Sequence, residues 1–371
     1  MAEWTKATDS KSVVLLVGTG GSNPSPSANL DIFRAHGLHI DVSYPTLAMT
    51  NPTFEALTID TLIDLTEQAI GQRCTNLCRP LNSYINRVYE IETEAGDMVV
   101  AKFFRPGRWS HEAILEEQVF LFDLADADVP VILPFGDSPG DALRQADGLS
   151  YAVYPKKGGR ICDEPTIDEW QQLGRLVGRM HQVGAAGSAE HRIVMAPTDS
   201  TADHLAHILE SGEVDRQWEQ QYEDVTRQVL DQITPHFNDT STHRIHGDLH
   251  SQNIIHRPGE SFYLIDFDDM ATGPAIQDIW MLLPGRVADC RRELDAFLDG
   301  YETFREFDYP QLKLVEPLRA MRFIHYTAWC VHQSRDSNID RLADDWGTAA
   351  YWRQEIDALQ TQLTEIEDAI Q

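Results

Sequence analysis

The chain has 371 residues, 42% hydrophobic and 24% charged, which is ordinary for a globular protein and enough for one large domain or two lobes. Fifty-nine acidic against thirty basic residues leave a net charge of −29, which repels phosphate backbones and anionic headgroups and argues against nucleic acid and membrane surfaces as partners. No apolar run reaches the roughly 18 residues of a membrane span, and five scattered cysteines without a Cys-x-x-Cys pair fit a reducing cytoplasm.

Residues 1–48 are rich in Ser, Thr, Gly and Pro, with one apolar burst, Val13 to Val17, running into a Gly- and Pro-rich stretch. A phosphate loop is excluded there, because no Gly-Lys-Ser/Thr follows and prolines sit where a helix should open. The burst is also shorter than the ~7 to 15 apolar residues of a signal peptide. The segment is expected to be a disordered extension, with Met49 the natural start, ahead of an N-lobe over 49–155 and a helical C-lobe over 156–371.

A helix is predicted over Ile59 to Ile70, with Thr58 as N-cap and Gly71 as its stop. The loop Arg79 to Arg87 comes next. It lies where a glycine-rich phosphate flap would be but has no glycine, so it is either a polar hairpin loop or a set of donors, Asn82 and Ser83, for phosphates. Strands are predicted from Val88 to Thr93 and Met98 to Phe104. In the second, Val99, Ala101 and Phe103 share one face and Val100, Lys102 and Phe104 the other. Lys102 between apolar neighbours either snorkels to water or reaches nucleotide phosphates, as the lysine of the third kinase strand does.

A helix capped by Ser110 and running to about Ala125 puts Ile114, Glu117, Leu121 and Leu124 on one stripe at ~100° per residue. An acid on that stripe needs a partner, and a kinase pairs its strand lysine with a helix glutamate, which favours Glu117 over Glu116 as the partner of Lys102. Tyr151 to Pro155 reads as a strand entering a hinge, Lys156-Lys-Gly-Gly-Arg160, whose backbone would meet an adenine edge. Downstream, Trp170, Leu173, Val177 and Met180 form a helical stripe on which Gly174 and Gly178 allow close approach. Helices follow around 291–304, 312–332 and 346–369.

The segment from His243 to Asp269 carries the chemistry. Asp248 is followed five residues on by Asn253, and Asp266 closes the apolar run Phe262 to Ile265. In protein kinases a catalytic Asp, an Asn at that interval and a metal-binding Asp on the next strand supply the group near the attacking hydroxyl and two oxygen ligands for magnesium. Ile254-Ile255 and Phe262 to Ile265, joined by a Pro258-Gly259 turn, would fold Asp266 back toward Asn253. The histidines His243, His246, His250 and His256 do not follow a zinc spacing such as His-Glu-x-x-His, which argues against a zinc site.

His246-Gly-Asp-Leu-His-Ser-Gln-Asn253 with Ile265-Asp-Phe-Asp-Asp269 resembles the aminoglycoside phosphotransferase and choline kinase superfamily. Blocks at 80–89, 100–106, 114–118, 178–182, 277–283 and 316–322 resemble its bacterial stress response kinases. The resemblance covers nearly everything after Met49. It implies an α+β, bilobal protein-kinase-like fold with a small antiparallel-sheet N-lobe, one main helix there, and a larger, mostly helical C-lobe. It also implies a cytoplasmic, monomeric kinase that uses ATP and Mg2+ to phosphorylate Ser or Thr on a protein substrate under oxidative or envelope stress. By resemblance Asp248 is the proton acceptor, Asn253 and Asp266 hold magnesium, Ser83 contacts ATP and Lys102 holds phosphate.

Gly247 stands where protein kinases carry an arginine that grips an activation-loop phosphate, and eleven residues separate Asp266 from Asp278. Control by an activation loop is therefore not expected. Without the resemblance, the residues favour a small-molecule hydroxyl as acceptor as much as a protein, and the intact Lys102, Asp248, Asn253 and Asp266 argue against a catalytically dead binding module.

Overall fold

A computed structural model describes residues 54, 57–81, 83, 85–162, 164–334 and 345–370. The expectations for residues 1–48 and for Asn82 lie outside these.

Helix α1 (Ile59–Ile70) opens where Thr58 Oγ1 accepts the N–H of Thr61 and stops at Gly71, which takes a left-handed φ of 66°. It lies on an antiparallel five-stranded sheet of order β1-β2-β3-β5-β4, formed by β1 (Cys74–Pro80), β2 (Arg87–Thr93), β3 (Met98–Phe103), β4 (Arg144–Ala146) and β5 (Leu149–Pro155). The alternation along β3 divides two cores. Val99, Ala101 and Phe103 pack with Ile91, Val153 and Leu62 of α1, while Val100 and Phe104 turn to the main core with Ile114, Phe120 and Leu124 of α2 (His111–Asp126). Lys102 follows Val100 to that second face and is 4% exposed.

A short helix α3 (Pro139–Ala142) precedes β4, and the chain leaves the sheet after Pro155. The rest is mainly helical: α4 (Ile167–Gly184), α5 (Ala202–Ser211), α6 (Glu219–Ile233), α7 (Ile276–Trp280), α8 (Arg291–Tyr301), α9 (Val315–Ser334) and α10 (Ala349–Ile370). Two small ribbons, β6 (His243–Ile245) with β9 (Ala271–Gly273) and β7 (Ile254–His256) with β8 (Phe262–Leu264), carry the 243–269 segment. Trp170, Leu173, Val177 and Met180 of α4 are buried, and α4 meets α8 nearly backbone to backbone. A Cβ on Gly174 would stand 1.9 Å from the carbonyl oxygen of Phe297. Among the described residues no helix is long and apolar enough to cross a membrane.

Strand β1 was not among the predicted strands. It begins inside what reads as polar connection, and only Cys74 of its seven residues is buried, so an edge strand leaves no alternation to detect.

Candidate active site

β6 delivers His246, Gly247 and Asp248 into a loop fixed from below. The buried Asp278 on α7 accepts the backbone N–H of His246 at 2.7 Å and of Gly247 at 2.9 Å, and it meets His181 Nε2 of α4 at 3.0 Å. Burial lowers His181 to about 3, so its ring is neutral and donates Nε2–H to the carboxylate, while Tyr301 donates its hydroxyl to Nδ1. Burial also pushes Asp278 up to about 6, against the two amides that favour its charge. His246 Nε2 donates to the carbonyl of Ile265 at 2.9 Å, and Gln277 Nε2 to that of Gly247 at 2.9 Å. Gly247 takes a φ of 85°, and a Cβ there would fall 2.1 Å from the carbonyl oxygen of Asp269. An arginine at this position is sterically excluded.

With the loop fixed, its side chains converge. Asn253 Nδ2 donates to the carbonyl of Asp248 at 2.9 Å, and Ile265 N–H donates to the carbonyl of Asn253 at 3.1 Å, which closes the β7–β8 hairpin at the residue before Asp266. Asp266 adopts a left-handed φ of 60°, a cost that aims its carboxylate at the sheet rather than along the strand. There it meets Lys102 Nζ at 3.1 Å.

Lys102 sits in a knot of charge larger than one lysine and one glutamate. Its ammonium is 3.1 Å from Asp268, 3.1 Å from Asp266 and 4.0 Å from Glu117. Burial pulls the lysine down, but Asp268, then Asp266 and Glu117, outweigh it and hold Lys102 well above its ordinary value, so it stays charged. Glu117 has a nearer cation in Arg192, whose Nη2 donates at 2.9 Å, while Glu116 turns outward to His191. Burial raises Glu117 against the pull of Lys102 and Arg192.

Asp268, fully buried, also accepts from Asn86 Nδ2 at 3.1 Å and from Arg108, which reaches Asp269 as well. Asp248 meets Arg322 Nη1 of α9 at 3.1 Å and His250 Nε2 at 3.4 Å. The anchoring roles of Asp268, Asp278, Arg108, Arg192 and Arg322 were not predicted. Their partners lie far off in sequence; Arg192, Asp278 and Arg322 stand next to apolar residues, while Arg108 and Asp268 lie in mixed polar and apolar stretches that carry no signal.

Lys102, Glu117, Asp248, Asn253 and Asp266 are thus brought together. Ser83 is partly buried on the β1–β2 connection. Two residues on, Ile85 packs with Trp329 and Cys330 of α9, and Asn86 reaches Asp268, so this connection spans from the sheet to the helical part.

The sequence pattern of the phosphotransferase enzyme family matches residues 77–315. Stress response kinase A of Escherichia coli O157:H7 is 39% identical over 295 residues, covering 76% of this chain and 86% of that protein. The serine/threonine protein kinase RdoA of Salmonella typhimurium is 37% identical over 295 residues, with the same shares. Among solved structures, the amicoumacin kinase hAmiN in complex with AMP-PNP, Ca2+ and Ami superposes with a TM-score of 0.63 at 22% identity, over 83% of this chain and 93% of that one. The microcompartment-associated aminopropanol kinase gives 0.61 at 18%, over 82% and 98%. These two likenesses are of fold.

Proposed function

The chain belongs to the phosphotransferase enzyme family, and on that premise we propose that it transfers the terminal phosphoryl group of ATP to a serine or threonine hydroxyl of a protein. The observation that carries this reading is the convergence of Lys102 on Asp266, of Ile265, the residue before Asp266, on the Asn253 carbonyl, and of the Asn253 amide on the Asp248 carbonyl. It is the set that phosphoryl transfer needs, since positioning and charge neutralisation do most of the work.

Asn253 and Asp266 suit magnesium by their chemistry. The amide nitrogen of Asn253 is spent on the backbone, which leaves its oxygen, and Asp266 adds a carboxylate, both hard oxygen donors. When bound, magnesium supplies neutralising charge across the phosphate oxygens. Lys102, held as a cation, adds charge on the sheet side, and Glu117 with Asp268 fixes its direction. Asp248 orients the acceptor hydroxyl and takes its proton late. Ser83, on the connection above, supplies a donor toward ATP. The lobes of this reading are 49–155 and 156–371, with adenine against the linker after Pro155. A monomer in a reducing cytoplasm, active under oxidative or envelope stress, completes it.

A protein acceptor is favoured by the serine/threonine protein kinase RdoA among the relatives and by the cationic Arg322 beside Asp248, which is unfavourable to a polycationic small molecule. A small-molecule acceptor is favoured by a cavity of about 250 Å3 lined by His250 and Ser251 of the catalytic loop and by Trp170, Leu173 and Met281. Labelled ATP offered to the purified protein with a lysate and a metabolite panel decides between them. Label in protein bands, lost with Asp248→Asn, is the expected result; label confined to small solutes transfers the reading to the second acceptor class. In that variant turnover should fall by about 100-fold or more while nucleotide affinity stays within about threefold; Asp266→Ala should lose both. Wild-type turnover in Asp248→Asn removes Asp248 from its role.

A further inference from the structure

At the edge of the cavity described above, which Cys162 also lines, three residues from three separate segments offer one ligand atom each to a common centre. They are Cys162 of the inter-lobe linker, Glu169 in the first turn of α4 and His256 at the end of β7. Their ligand atoms all lie within 4.8 Å of one another, and His256 Nδ1 is 3.7 Å from Glu169 Oε1. Bond lengths of about 2.0–2.3 Å to N, O and S in a tetrahedral site separate ligand atoms by roughly 3.3–3.8 Å. The His–Glu pair already has that spacing, and the widest pair needs to close by about 1 Å.

The supports are those of a prepared site. Glu169 Oε2 is held by the backbone N–H and the hydroxyl of Thr166, both at 2.8 Å, which leaves Oε1 for the centre. The His256 ring lies flat on Phe262, with centroids 4.4 Å apart, and its buried Nδ1 has no hydrogen-bond partner. With the ring proton on Nε2, that nitrogen presents a lone pair. The linker is pinned beside β7 by a two-way backbone pair, Arg160 N–H to His256 carbonyl at 3.0 Å and His256 N–H to Arg160 carbonyl at 2.8 Å. A Cβ at Gly159 would stand 2.0 Å from Ile255, so the approach is as close as the backbone allows.

We propose that Cys162, Glu169 and His256 form a binding site for a borderline-soft divalent metal of the zinc class, which staples the linker between the lobes to the catalytic hairpin. A thiolate and an imidazole with one carboxylate select such a metal over magnesium, and water fills the fourth position. On binding, the Cys162 thiol gives its proton to the solvent as the sulfur–metal bond forms, so affinity rises with pH.

The test is Co2+ titration of the chelator-treated full-length protein, followed by absorption. One equivalent should give a thiolate-to-cobalt charge-transfer band that Zn2+ abolishes. The band should vanish in Cys162→Ser and weaken in His256→Gln, with Zn2+ affinity falling by about 100-fold or more in Cys162→Ser. Asp266→Asn, which alters the phosphotransfer site, should keep both the band and the affinity. Retention of the band in Cys162→Ser, its loss in Cys78→Ser instead, or no thiolate band at all overturns the proposal. The readout does not depend on kinase activity, so this inference and the proposed function can fail separately.

Discussion

Asp268 is fully buried between Lys102 and Arg108, two cations that precede it by some 160 residues in the chain. Removing one member of a buried pair leaves a charge that can neither reach water nor find a partner, at a cost of about 3–5 kcal/mol. Asp268→Asn should therefore lower unfolding free energy in urea by that amount, whereas Asp126→Asn, at the exposed end of α2, should change it by less than about 0.5 kcal/mol. Equal effects would show that the knot around Lys102 carries no stability. The contrast explains which side chains could be read from the chain. Asp248, Asn253 and Asp266 lie close together in sequence, and their spacing encodes one hairpin and one loop. The roles of Asp268 and Arg322 depend on partners brought in by β3 and α9, and no local pattern records that. Cys162, Glu169 and His256 are the extreme case, since a zinc spacing is a local pattern and this cluster draws on three separate segments.

Helices α4 and α8 cross where Gly174 faces the carbonyl of Phe297 and Gly300 faces that of Gln171. Because the obstacle at Gly174 is backbone and not a movable side-chain tip, Gly174→Ala must push the helices apart. Overpacking of this kind costs about 1–3 kcal/mol or more, and α4 also carries His181, the donor to Asp278 under the loop that holds Asp248. The variant should lose thermal stability and turnover together, and loss of neither would mean that the helices slide without consequence. Amphipathic stripes and N-caps made α1 and α2 readable to within a residue or two, while α4 was legible as a buried stripe without its ends. In α2 the burial of Glu117 among apolar residues was itself the clue to a partner. The edge strand β1 gave no such signal, and α5 and α6 lay within a stretch read only as mostly helical.

Acidity shapes the protein's stability through its buried carboxyls. Glu355 on α10 accepts from Thr327 of α9 at 3.1 Å, and burial pushes it up to about 7 from an ordinary 4.5. The folded state therefore binds this proton more tightly than the unfolded chain. Its contribution is fully present below about pH 4.5 and is lost as pH rises through 7, at most about 3 kcal/mol. Glu355→Gln should flatten the fall in melting temperature between pH 5 and 8; an unchanged slope would place the titration elsewhere.

The cations Lys102 and Arg108 belong to the chain before Pro155 and the carboxylates nearest them, Asp266, Asp268 and Asp269, to the chain after it, while Glu117 and Arg192 reverse the arrangement. Each half thus ends folding with buried charge whose counterpart sits on the other. Severed at Gly158, neither piece should fold alone, and the two fragments should regain structure only when mixed.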